Sequence, residues 1–216
     1  MTPTTSIPVS PAGFWKRYVA YFIDAALLWG LLELLVRLFF PHLGEGEMDQ
    51  LGTLLSPQDP EAGLQAQAAV AEQAIGLLMK LTLVSTCAYA VVGGVYFVLF
   101  EASDRQATPG KRLLGIKVTD LAGRRIDRGR AVGRFLAAAL SWMTMNIGHA
   151  LVAWTPERRA LHDMLAGTRV VNADPERPQM PWWGWLIVAA NVLGFLAFVV
   201  MTIVGTWNAL TAAGQY

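Results

Sequence analysis

Arg17 and Asp24 have the types and spacing for ion chemistry, and both lie in one apolar stretch. Asp24 stands in the middle of GFWKRYVAYFIDAALLWGLLELLVR, residues 13–37, and Arg17 stands near its start. Their separation is close to two helical turns, so both side chains leave a helix from the same face. At ~1.5 Å of rise per residue they are roughly 10 Å apart along the axis, too far for contact unless Arg17 reaches inward. A charged carboxylate against lipid is costly, so Asp24 has to face protein or water, or be neutral. It is a candidate proton or cation site; the structural reading is a polar contact to Arg17 or a neighbouring helix.

A second charged cluster is Glu157-Arg158-Arg159-Ala160-Leu161-His162-Asp163, followed by MLAGT. On a helix Arg159 and Asp163 are i,i+4 neighbours and can pair. Asp163 can equally turn toward the Arg17 end of the first helix, and Gly167 suits the end of a short helix. Arg159 and His162 are secondary polar candidates. Glu33 and Arg37, also i,i+4, read as an intrahelical pair near the helix end.

Other chemistry has less support. Thr108-Pro109-Gly110-Lys111-Arg112 lacks the spacing of a phosphate loop and reads as a tight turn. Met143, Met145 and His149 are soft donors that suit Cu(I), but without a further array they read as packing. His42, His149 and His162 have no paired spacing for zinc or haem. No metal, cofactor or catalytic set is expected, and the residues do not point to an enzyme.

The elements that must position these residues follow from apolar content. The 216 residues are 54% hydrophobic and 15% charged, with eight tryptophans, a composition that points to a polytopic membrane protein. Three segments reach the ~20 apolar residues of a bilayer crossing: 14–40, 81–100 and 182–207. Phe14-Trp15-Lys16-Arg17-Tyr18 and Pro181-Trp182-Trp183-Gly184-Trp185 form interfacial collars. Net charge is +1, which gives no reason to expect a nucleic-acid partner. The single cysteine, Cys87, excludes an intramolecular disulfide framework.

Loop charge predicts orientation. The acidic connection 41–74 has six acidic residues and no lysine or arginine, whereas 102–134 has nine basic residues against three acidic ones. The positive-inside rule places the second connection and the N-terminus in the cytoplasm. The basic residues Lys111, Arg112, Arg124, Arg125, Arg128 and Arg130 are expected to meet anionic lipid headgroups or a partner.

Residues 131–154 are apolar but interrupted at Asn146-Ile147-Gly148-His149. A full crossing would carry the arginines of 155–181 outside, so a re-entrant or bent segment is expected. LLGIKVTD, residues 113–120, followed by LAG and RRI, predicts a β-hairpin in the basic connection 102–130, and TRVVN, 168–172, predicts a further strand. The expected fold is all-α and polytopic, with three transmembrane helices, a re-entrant or bent segment and a small cytoplasmic β-hairpin. Residues 1–12 are expected to be a disordered tail, 13–172 the membrane domain with an interfacial helix at 157–167, and 173–216 a linker with the last helix.

These motifs resemble the RDD family of membrane proteins, named for an arginine and two aspartates. The resemblance rests on GFWKRYVAYFIDAALL, TPGKRLLGIKVTDLAGRRI and RRALHDMLAGTRVV in that order, and covers most of residues 13–172. It implies that Arg17, Asp24 and Asp163 are the named residues, in a multi-pass protein of the bacterial cytoplasmic membrane. It implies either of two activities. One is exchange of a proton for Na⁺, K⁺ or Li⁺ at Asp24, with Arg17 and Asp163 setting charge balance. The other is a scaffold or assembly role beside a larger membrane complex, as a homo-oligomer or with a partner membrane protein. The Gly93-Gly94 pair would admit close helix approach in that second role.

Overall fold

The computed structural model describes residues 10–39, 41, 45–55 and 64–213. Residues 1–9 of the expected tail, together with His42, Asp59 and Glu61 of the acidic connection, lie outside the described residues. The chain forms two compact units, one from residues up to Ile23 together with Phe100 onward, the other Asp24–Leu99.

Three long helices meet the length and apolar content of a bilayer crossing: α1 Phe14–Phe39, α3 Leu64–Glu101 and α8 Trp182–Ala213. The α3 helix is longer than the expected 81–100 and begins inside the acidic connection. Its first turns are rich in Ala, Leu and Gln, strong helix formers that carry the helix back beyond Lys80. A further helix, α2 Glu45–Leu55, occupies the same connection, with Leu51 buried and Glu47 paired to Lys80 at 3.2 Å. In this unit Gly93 is buried near Leu28. An added Cβ would lie 3.8 Å from Leu28 Cδ1, an ordinary contact, so the approach does not depend on glycine.

The other unit contains the small sheet. Strand β1 Ile116–Asp120 pairs antiparallel with β2 Thr168–Asn172, with Ile116 opposite Asn172 and Asp120 opposite Thr168. The antiparallel sheet is therefore present, but its partner strand is the distant TRVVN rather than the local return at 124–126. After β1 the chain turns at Gly123, whose φ is +81°, and Asp120 accepts from the Arg124 backbone N–H at 2.8 Å and its Nε at 2.9 Å. The Asp120 N–H also donates to the Arg124 carbonyl at 2.9 Å, so 124 is bonded back to the end of β1 without adding a strand. On the far edge of β2, Ala12 N–H donates to Val170 at 3.0 Å and Asn172 N–H to Ser10 at 2.8 Å, so residues 10–12 extend the sheet.

Short helices frame it. Thr108 caps α4 Pro109–Leu113, where a tight turn was expected, and Gly115, with φ +63°, follows it. Asp127 caps α5 Arg128–Met143 by accepting from Arg130 N–H at 2.8 Å. After a 112° bend come α6 Ile147–Ala150 and a 3₁₀ turn at Leu151–Ala153. The bend falls where Met145 and Asn146 both adopt positive φ, +50° and +64°. Finally α7 Leu161–Leu165 precedes Gly167, at φ +60°, and β2. The core here is Val19, Leu114, Ile116, Val118, Ile126 and Val170, each at most 2% exposed.

Candidate functional site

Asp163 is completely buried at the start of α7, and the short helix depends on it. Its Oδ2 accepts from the Ala160 backbone N–H at 3.0 Å, satisfying an amide that a five-residue helix leaves open. The same oxygen accepts from Arg17 Nη1 at 2.5 Å. The other oxygen accepts from Arg134 Nη1, on α5. Two guanidinium groups thus share one carboxylate.

Both arginines have further partners. Arg17 donates from Nε to Ala12 O at 3.1 Å and from Nη2 to Arg158 O at 2.5 Å. Arg158 adopts φ +51°, a conformation L residues rarely take, and its carbonyl receives that bond. Arg134 donates from Nε to Glu101 Oε2 at 2.9 Å and from Nη1 to Thr168 Oγ1 at 3.3 Å. Glu101 in turn accepts from Lys111 Nζ at 2.9 Å. The result is a ladder, Arg17–Asp163–Arg134–Glu101–Lys111, in which three cations alternate with two anions. It joins the first helix to α5, α7, α4 and the end of α3, with every side chain at most 13% exposed.

The charges around Asp163 set its ionisation. Burial alone would push its pKa up, but Arg134 and Arg17 outweigh that and hold it well below the usual carboxylate range. The neighbouring His162 is pushed well below its ordinary value, first by burial and then by Arg134, with Asp163 opposing. His162 Nε2 lies 3.6 Å from Asp163 Oδ1, and its ring stands 4.8 Å from that of His149. Such a site keeps Asp163 ionised and His162 neutral near pH 7.

The remaining sequence candidates divide. Asp24 is also fully buried, and accepts from the Tyr96 hydroxyl of α3 at 2.8 Å. Arg17 and Asp24, seven positions apart on α1, therefore have different partners. The Arg159 side chain donates to Glu157 at 3.0 Å and to the Asp163 carbonyl at 3.3 Å, not to its carboxylate. Glu33 and Arg37 form the expected i,i+4 pair at 2.7 Å. In the basic group Lys111 turns inward to Glu101, Arg124 pairs with Asp120 and Arg125 with Asp104. Arg112, Arg128 and Arg130 are exposed. Among the described residues no group of three or more His, Cys, Asp or Glu converges as a metal site.

Arg134 and Tyr96 escaped the sequence reading. Arg134 is the only charged residue in 131–154, and a lone arginine in an apolar run needs a buried partner; that was its signal. Tyr96 had none, because one tyrosine in a membrane span is unremarkable.

Three apolar helices and a buried ladder of alternating charges at the start of the first define an integral membrane protein with an ion-paired clasp. The chain belongs to the RDD family, whose model matches residues 11–167 and so includes Arg17, Asp24, Arg134 and Asp163. It is 32% identical over 162 residues to the Bacillus subtilis (strain 168) protein named Uncharacterized protein YxaI, covering 74% of this chain and 97% of that one. It is 26% identical over 167 residues to Uncharacterized membrane protein YteJ of the same organism, covering 74% and 80%. No solved structure matches.

Proposed function

We propose that this membrane protein exchanges a proton for a monovalent cation, Na⁺, K⁺ or Li⁺, at Asp24. The observation that carries the reading is the buried Asp24 carboxylate, inside a membrane-spanning helix and bonded at 2.8 Å to a Tyr96 hydroxyl from another span. An intramembrane carboxylate is a functional site by default. A neutral hydroxyl accompanies either protonation state of a carboxyl group, because it donates to the anion and accepts from the acid. Asp163, held between two arginines, lacks that freedom. In this reading Arg17 and Asp163 position α1, and the proton moves at Asp24. The charge asymmetry between 41–74 and 102–134 supports placing the N-terminus and the sheet in the cytoplasm, with the protein in the bacterial cytoplasmic membrane.

The test is ion flux in proteoliposomes containing only this protein, with a pH-sensitive dye inside and Na⁺, K⁺ or Li⁺ pulses outside. Dye response in the wild type that is lost in Asp24→Asn is expected. Normal response from Asp24→Asn would overturn the assignment of the site. A second reading, a membrane scaffold, draws on α8, whose most apolar window is only 6% buried within the chain and so offers a face to a second copy or a partner membrane protein. Silence from folded wild type at every pH would favour it.

A further inference from the structure

We infer that residues 128–153 enter the bilayer as a re-entrant hairpin, with the acyl chains of one leaflet covering its exposed apolar face. The inference is independent of ion exchange at Asp24.

The segment leaves β1 and returns to β2, and these two strands are hydrogen-bonded throughout, with Asp120 opposite Thr168. Entry and exit are therefore held within one small sheet, and a segment whose two ends meet on one side cannot be a full crossing. Its α5 arm of 16 residues is also short, about 24 Å at ~1.5 Å per residue, against a hydrocarbon core of ~30 Å.

The α5 helix has two unlike faces. Ala131, Arg134, Ala137 and Ser141 are buried toward the protein. On the opposite side Val132, Leu136, Leu140 and Met143 form a stripe, 43%, 62%, 48% and 82% exposed. Exposure is greatest at the bend, where Met145 reaches 89%, and Trp154, at the exit, is 74% exposed. Arg128 and Arg130 flank the entry. An apolar tip with basic and aromatic residues at its base is the arrangement a bilayer interface selects.

The backbone at the bend is bonded within the segment. Non-helical chain at membrane depth needs its polar groups paired internally. Here Asn146 N–H donates to Ser141 O at 2.7 Å, Ile147 N–H to Thr144 O at 3.0 Å, and Ala150 N–H to Asn146 O at 3.1 Å. The Thr144 hydroxyl donates to Leu140 O at 3.0 Å. A tip that folds its amides back on itself is suited to hydrocarbon.

The experiment uses the full chain with Cys87→Ser and single cysteines at Leu121, Met145 and Asp174, in membrane vesicles of each orientation. The probe is a membrane-impermeant maleimide. Leu121→Cys and Asp174→Cys are expected to label from the same face, and Met145→Cys from neither face until detergent dissolves the membrane. Labelling of Asp174→Cys from the face opposite Leu121→Cys would mean a full crossing and overturn the proposal. Labelling of intact-membrane Met145→Cys from either face would put the tip in water and overturn it too. Should Met145→Cys fail to accumulate, Met143→Cys on the same tip carries the same two outcomes.

Discussion

Arg17 and Asp163 are 146 positions apart in sequence, yet their side chains meet at 2.5 Å. Arg134 approaches the other oxygen of the same carboxylate. The first helix is thereby tied to α7 and α5 through one buried anion.

Removing that anion leaves two buried guanidinium groups short of a counter-charge. Breaking a buried pair from one side costs roughly 3–5 kcal/mol, because the remaining charge stays desolvated. Asp163→Asn is therefore expected to lower the thermal midpoint of the detergent-purified protein sharply, and its abundance in the membrane. Arg134→Gln is expected to do the same, leaving Asp163 with Arg17 alone and Glu101 with Lys111 alone. Wild-type melting of both variants would show that the ladder adds nothing to stability.

Acid should weaken the fold in two separate windows. The folded-state pKa of His162 is depressed, so as pH falls below about 6.5 the unfolded chain takes up a proton that the folded chain refuses. The folded-state pKa of Asp163 is depressed too, so its contribution is complete above about 3.9 and is lost only as pH falls further. Melting curves from pH 8 to pH 5 should thus shift downward on the acid side through His162, with Asp163 silent. His162→Gln should reduce that slope; an unchanged slope would remove His162 from the account.

Gly148 sets the contact of α6 with α5. A Cβ there would collide with Ser141 Oγ and lie 2.9 Å from Ser141 Cβ. Overfilling a packed contact costs typically 1–3 kcal/mol, so Gly148→Ala should lower the melting temperature. Because the obstacle is mainly the Ser141 side chain, adding Ser141→Gly should restore part of the loss. A double variant no better than Gly148→Ala would place the strain elsewhere, with Leu161 Cβ, 3.1 Å away, the next neighbour.

Tyr96→Phe removes one donor from Asp24 without changing shape. Loss of a bond to a buried partner costs about 1–3 kcal/mol. If Asp24 moves a proton, the variant should remain folded and show a displaced pH dependence of dye response in proteoliposomes. An identical profile would mean that the hydroxyl has no part in the exchange.

Much of this could be read from the residues alone, for a local reason. A bilayer crossing needs only a run of apolar side chains, so α1 and α8 begin where their aromatic collars do. The Glu33–Arg37 pair lies one turn apart and required no tertiary information. The break near Asn146 was likewise visible in sequence, since polar residues and glycine interrupt an apolar run there.

What composition left open depended on distant contacts. The pairing of β1 with TRVVN is a contact across the fold, with Ile116 opposite Asn172 and Asp120 opposite Thr168. Arg134 joined the candidate site because α5 turns it toward Glu101 and Asp163, partners 33 and 29 positions away. Asp24 found Tyr96 across 72 positions. Hydrophobic runs act through neighbours along the chain and are legible in order. Buried charges act through whichever groups folding brings within about 3 Å, and linear spacing does not encode that.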